Sequence, residues 1–222
     1  CVVGAIDALG DTSPCIERTF PEGAFWNADG TGGHVIDLTR PPFNAVGDGV
    51  ADDTAALRAA FDFILEELNR IGWNNFFPNT SELAYTIYLP DGTYRVTDTI
   101  IYNGPAQLHP VGAQEALIHV RITGQSREGT HIVLDPNVPS FGDAEAPKPV
   151  LAFGKTDFNN VPAGNSLRNL TVRVGAGNPG AVGVYFGGAN ASVIHNVRIV
   201  SEDGQGAIGL DNSIGTVLSY QR

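Results

Sequence analysis

Residues 43–57 read FNAVGDGVADDTAAL, three aspartates and two glycines set just before an alanine-rich run. Phosphate loops, calcium loops and helix caps all use these ingredients, so each template can be tested. A P-loop needs a lysine and a hydroxyl after its second glycine, but Gly49 is followed by Val50 and Ala51. A dinucleotide loop offers backbone N–H groups to phosphate, which Asp48, Asp52 and Asp53 would repel. Counted from Asp48, the third, sixth and twelfth positions hold Val50, Asp53 and Ala59, where an EF-hand needs Asp or Asn, Gly and Glu. A structural reading remains. Gly47 and Gly49 permit a tight turn around Asp48, and Asp52 or Asp53 accepts hydrogen bonds from the first free N–H groups of a helix.

That helix is expected over about 53–71. Leu57, Phe61, Ile64, Leu65, Leu68 and Ile71 follow the i, i+3, i+4, i+7 spacing of one buried face, and Gly72 is a natural stop. Arg58 with Asp62 and Glu66 with Arg70 stand four apart on the opposite side. Before the motif, residues 1–33 are glycine-rich and aperiodic, and Val35, Ile36 and Leu38 suggest a short strand stopped by Pro41 and Pro42. After the helix the period changes from 3.6 to 2. YTIYL (85–89), TYRVTDTI (93–100), LIHVRITG (117–124), THIVLD (130–135), PVLAF (149–153), NLTVRV (169–174), GVYF (183–186), NVRIV (196–200) and AIGLD (207–211) read as short strands.

The strands repeat. Ala181–Val184 recurs 26 residues later as Ala207–Leu210, and Asn169–Val172 recurs 27 later as Asn196–Ile199. Val120-Arg121-Ile122 lies 52 residues before Val172-Arg173-Val174, two such periods. A unit this short cannot bury its own apolar face, but stacked copies bury Val120, Ile122, Leu170, Val172, Val197 and Ile199 in one column. The expected fold is therefore all-β, a parallel solenoid with the helix covering one end. Residues 1–33 form an N-terminal segment, 34–82 a strand and capping helix, and 83–222 about five coils of ~26 residues.

Composition narrows the partners. Thirteen basic and twenty-four acidic residues give a net charge of −11, which argues against nucleic acid and anionic membranes as main partners. The 27 glycines and 14 prolines suit many short strands joined by turns. The chain has no methionine and starts at Cys1, as expected of a processed or cut product. Cys1 and Cys15 are the two cysteines. Paired in an exported protein, their loop would contribute roughly 3 kcal/mol; the other readings are a lipidated Cys1 or two free thiols. The five histidines show no metal-ligand spacing, and neither a metal nor a cofactor is expected.

FNAVGDGVADDTAALRAAF, followed some thirty residues later by IYLPDGTYRV, resembles the N-terminal signature of the pectate-lyase-like right-handed β-helix superfamily. The resemblance implies a right-handed parallel β-helix whose helix caps the first coil and whose Pro90-Asp91-Gly92 segment turns between strands. A second stretch, NSLRNLTVRVGAGNPGAVGVYFGGANASVIHNVRI (165–199), is similar to part of the first β-helix of the exo-β-1,3-glucanases of glycoside hydrolase family 55. This implies the N-terminal portion of an exported polysaccharide-degrading enzyme, with its catalytic carboxylates beyond Arg222. The polygalacturonase pattern of Asn-Thr-Asp, a double Asp and Gly-His-Gly is missing, and no catalytic residue carries over. The other expectation is a non-catalytic glycan-binding or structural β-helix, such as a tailspike-like or surface assembly protein.

Several residues are candidates for contact with a polysaccharide. Arg121, Arg173 and Arg198 each sit between inward apolar neighbours and so point outward, where stacking would make a basic stripe. Register decides this, because aligning the asparagines puts Thr171 opposite Arg198. Tyr185 offers a ring for stacking on a sugar, and Asp211 an acid in the last repeat. The net acidity favours a neutral β-glucan. No helix or polar coil follows to cover the last strand edges, so a continuation of the chain or a partner chain is expected there. The protein is expected to be secreted or held at the cell surface, with a lipid on Cys1 as one anchor.

Overall fold

A computed structural model describes residues 17–70, 85–102, 120–153, 164–187 and 192–212. Among these residues the chain winds through five stacked rungs with three faces, and every pairing between the named strands is parallel. The first rung holds β1 (Val35–Asp37), β2 (Asp48–Asp52) and α1 (Thr54–Arg70). The second holds β3 (Thr86–Leu89), β4 (Gly92–Val96) and β5 (Ile100–Tyr102), and the third β6 (Arg121–Gly124), β7 (Thr130–Leu134) and β8 (Lys148–Phe153). The fourth has β9 (Ser166–Val174) and β10 (Ala181–Phe186), the fifth β11 (Val193–Ser201) and β12 (Ile208–Asp211).

The long strands β9 and β11 each serve two faces. Ser166–Arg168 pairs with β6, whereas Thr171–Val174 pairs with β7. The corner between them is one residue, Asn169, at φ 53°, and Asn196 repeats it on the next rung, also at φ 53°. Asparagine is among the few side-chain-bearing residues that enter the left-handed region readily. The two corners stack, with Asn196 Nδ2 donating to Asn169 Oδ1 at 3.1 Å. The first face is therefore β1-β3-β6-β9-β11, the second β2-β4-β7-β9-β11, and the third β5-β8-β10-β12.

Inward columns form the core. Ile36, Ile87, Ile122, Leu167 and Ile194 stand in register on the first face, and Tyr94, Ile132, Val172 and Ile199 on the second. All but Ile194 and Ile199 are fully or almost fully buried, each contributing about 1.5–3 kcal/mol. The helix lies where a third strand would complete the first rung and buries Leu57, Ala60, Phe61 and Ile64, three of which its spacing predicts. The side chains of Leu65 and Leu68, and all of Ile71, lie outside the described residues. Arg58 does not pair with Asp62. Its Nη2 donates to Asp98 Oδ2 at 2.8 Å and its Nε to the Thr99 carbonyl at 3.0 Å, and Lys148 Nζ meets the other Asp98 oxygen. This clamp fastens the helix to the second and third rungs.

The aspartates of the opening motif divide their work differently from the expectation. Residues 48–52 form a strand, not only a turn. Asp52 Oδ1 accepts the Thr54 N–H at 2.9 Å, but the Asp53 carboxylate turns back and accepts the Val46 and Gly47 N–H groups at 2.7 and 3.1 Å. Asp53 thereby locks the turn to the helix start while its carbonyl accepts from Leu57 N–H. Asp48 Oδ1 accepts from Val50 and Ala51. Gly47 and Gly49, at φ 65° and 76°, take conformations that strain an L side chain.

The predicted repeat is corrected in its length. Register partners on the first face put successive rungs 51, 35, 45 and 27 residues apart, so the 26- to 27-residue unit describes only the last step. The 52-residue match does not superpose: Ile122 stands beside Leu167, and Arg173 beside Val133. Insertions between strands change the spacing while the rungs stay in register.

Candidate functional site

The outward side of the first face carries two further columns. One runs Thr86, Arg121, Ser166, Val193, and the other Tyr88, Thr123, Arg168, His195. Side chains in a column are one strand spacing apart, about 4.8 Å. All of these but Tyr88 floor a cleft of about 500 Å³, and the segment Glu17–Phe20 makes its wall.

The wall is held at several points. Gln125 carbonyl accepts the Arg18 N–H at 2.7 Å, and Tyr88 Oη donates to the Arg18 carbonyl at 3.1 Å. Gln125 Nε2 donates to Glu17 Oε1 at 2.7 Å. Phe20 packs edge-on against the Tyr88 ring, with centroids 5.2 Å apart, and joins a small apolar cluster with Phe25 and Val35. Burial, with Asp37, Asp91 and Glu17 nearby, pushes the Tyr88 hydroxyl up to about 12, so it remains a donor across the physiological range.

Three guanidinium groups converge on this cleft, from Arg18, Arg121 and Arg168. Among the described residues none of the three forms an ion pair or donates a hydrogen bond; Arg18 instead lies over the Phe20 ring at 5.2 Å. Burial lowers the Arg168 pKa, and repulsion from Arg121 and Arg18 lowers it further. An arginine moved in that direction is one whose charge the fold disfavours. His195 is exposed at the next position of the Arg168 column. Such a set suits a carboxylate or sulfate, which the planar guanidinium fork grips through two hydrogen bonds.

The arginines expected to form a stripe do not align. Arg121 lines the cleft. Arg173 and Arg198 lie on the second face, in register with Val133 and Thr171 respectively. Arg173 Nη2 reaches Glu202 Oε1 at 3.4 Å. Tyr185 is only 5% exposed on the third face, beside Asp211 in the neighbouring strand, so its ring has no open face for a sugar. Cys1 and Cys15 lie outside the described residues. Sequence reasoning missed Arg18, Arg168 and His195. The available signal was the asparagine at matching positions of two strands, which marks a corner where the alternation restarts.

Among the described residues no group of three or more His, Cys, Asp or Glu side chains is placed to hold a metal ion, and no helix is long and apolar enough to cross a membrane.

Solved structures similar to this chain include the mannuronan C-5 epimerase AlgE6 A-module of Azotobacter vinelandii, at 22% identity over 72% of this chain and 36% of that one, TM-score 0.40. Another is a 1,3-α-1,4-β-D-galactose-4-sulfate-3,6-anhydro-D-galactose-2-sulfate 4 galactohydrolase, at 20% identity over 81% and 34%, TM-score 0.42. A third is PfbA, a surface adhesin of Streptococcus pneumoniae, at 14% identity over 73% and 38%, TM-score 0.38. The chain thus spans little more than a third of the length of each. No curated protein matches it by sequence. The family model described as rhamnogalacturonase A/epimerase, pectate lyase-like, matches residues 42–221. With the parallel rungs, the capping helix and most of its length matched, the chain belongs to the rhamnogalacturonase A/epimerase, pectate lyase-like family.

Proposed function

We propose that the cleft on the first face binds an acidic polysaccharide, and that the chain is the N-terminal β-helix portion of an exported polysaccharide-acting protein. The observation that carries this reading is the convergence of Arg18, Arg121 and Arg168 without an anionic partner among the described residues. Clustering like charges costs free energy that a bound polyanion recovers. A neutral β-1,3-glucan, the expectation from net charge, would leave these cations uncompensated. Membership of a pectate-lyase-like family supports a glycan ligand.

The same cleft favours binding over hydrolysis. A glycosidase needs two carboxyl groups across the scissile bond. Glu17 is the one acid among the described residues lining the cleft, and Gln125 already holds it. This supports a second reading, a non-catalytic glycan-binding or surface assembly module. In the first reading, hydrolysis draws on residues outside the described cleft. Arg168 with His195 offers β-elimination in place of hydrolysis: a cation on a uronate carboxylate acidifies the neighbouring C5–H, an imidazole accepts that proton, and the C4–O bond breaks to leave an unsaturated product while the departing oxygen takes a proton from water.

The last rung belongs to the same proposal. Ile208 and Leu210 of β12 are 41% and 38% exposed, and β11 and β12 pair on one side only among the described residues. We assign that edge to a further coil or a partner chain. Secretion or cell-surface display is part of the same proposal, because such a polysaccharide is met outside the cell.

Affinity electrophoresis in polygalacturonate and in neutral β-1,3-glucan tests the ligand class. Retardation by polygalacturonate that Arg168→Ala abolishes is the expected result; equal retardation in the neutral glucan, or none in either, overturns it. Assaying sugar release and unsaturated products from the same polymers separates enzyme from binding module.

A further inference from the structure

We infer that the segment 17–20 is a specificity-determining wall of the cleft and that Gln125 is the positioning residue that brings Arg18 to the bound anion; this rests on the cleft reading above. Gln125 is unusually placed to do so. Its N–H donates to the Leu89 carbonyl at 2.8 Å and its carbonyl accepts the Arg18 N–H, which ties the third rung to both the second rung and the wall. Its side chain works in both directions: Oε1 accepts the Asp91 N–H at 3.2 Å, while Nε2 donates to Glu17. Tyr88 closes the arrangement by holding the Arg18 carbonyl. The backbone of Arg18 is thus fixed at both its N–H and its C=O, and the Phe20 ring lies beneath its guanidinium.

Such anchoring would be satisfied by any residue but proline at position 18, since both bonds are to the backbone. The sequence instead puts a third cation where Arg121 and Arg168 already repel each other, and Arg18 is one of the charges that lower the Arg168 pKa. A wall serving only to cover Tyr88 gains nothing from that charge. One that grips an anion does, because a pre-positioned guanidinium loses little side-chain entropy on binding. Glu17, immediately before it, accepts from Gln125 Nε2 and forms no ion pair with the three cations among the described residues. The second independent feature is the break in the outer column: Tyr88 is buried under Phe20, whereas Thr123, Arg168 and His195 beyond it face the cleft. The wall therefore limits the cleft at the second rung.

A double-mutant cycle on the intact chain tests this, with a galacturonate oligosaccharide as the probe and calorimetric titration at several salt concentrations. Arg18→Ala is expected to weaken binding about tenfold, equivalent to one charge-assisted contact. It should also reduce the slope of log affinity against log salt by about one. Gln125→Ala should weaken binding several-fold with the same loss of slope, and should add less than twofold in the Arg18→Ala background. Tyr88→Phe, which keeps the ring and removes the hydroxyl, should behave like Gln125→Ala and guards against a folding defect. Effects that multiply in the double variant, or a Gln125→Ala protein with unchanged affinity and slope, overturn the inference. If Arg168→Ala weakens binding while Arg18→Ala does not, the wall inference alone fails. If Arg168→Ala binds like the unmodified chain, the cleft reading fails with it.

Discussion

The first and second faces of the solenoid share β9 and β11 and use the same kind of side chain to opposite ends. On the second face Arg95 is bound through two nitrogens to Asp135, and Arg173 reaches Glu202. On the first face Arg121 and Arg168 have no such acid among the described residues, and their neighbours are each other and Arg18. Arg168 and Arg173 are five residues apart in one strand, separated by the left-handed corner at Asn169. An outward arginine on a solenoid is therefore not informative by itself. What separates structure from site is whether the surrounding rungs supply its counter-charge.

The comparison is broken most severely at the corner. Asn169→Ala should destabilise the protein by about 2–3 kcal/mol, from left-handed strain of about 1–2 kcal/mol and the lost bond to Asn196 of about 1 kcal/mol. Asn169→Gly should recover the strain and not the bond, and urea denaturation measures both. Next comes Arg168→Ala, expected to cost about 1.5–3 kcal/mol in binding an acidic oligosaccharide, the worth of hydrogen bonds to a charged group. A smaller effect of opposite sign is expected in the free protein. Because burial and two like charges disfavour the charged form, Arg168→Leu should raise the melting temperature slightly. Arg173→Ala should do least. Its pair with Glu202 is about two-fifths exposed on both sides, so its loss should cost less than about 1 kcal/mol and leave glycan affinity within twofold.

Much of the fold was legible in the sequence, and the reasons are local. The change of period after Ile71, the Pro90-Asp91-Gly92 turn, and the apolar spacing of Leu57, Phe61 and Ile64 each follow from backbone geometry that a short window captures. The rung length was not legible, because the insertions between strands alter spacing without altering register. The site was read in part. Counting by twos through SLRNLTVRV puts Arg168 on the same side as Leu170 and Val172, hence inside. Asn169 resets the alternation, so Leu167 faces the core and Arg168 the cleft. The same reset at Asn196 brings His195 outward while Val197 packs against the core. Arg18 was out of reach for a different reason: residues 17–20 have no periodicity, and long-range contacts, the Gln125 and Tyr88 hydrogen bonds and the packing of Phe20, bring them over the first face. The net charge of −11 pointed toward a neutral ligand because it averages over the surface what the rungs concentrate in one place.

The cations of the first face that have no ion pair among the described residues, and not the paired ones of the second, receive an acidic glycan. Backbone amide NMR of the chain titrated with a galacturonate oligosaccharide tests it most directly. The account predicts perturbations centred on Arg18, Arg121–Thr123, Ser166–Arg168 and Val193–His195, with Arg173–Gly175 and Glu202 unmoved. Perturbations centred on the second face, or none at saturating oligosaccharide, would contradict it.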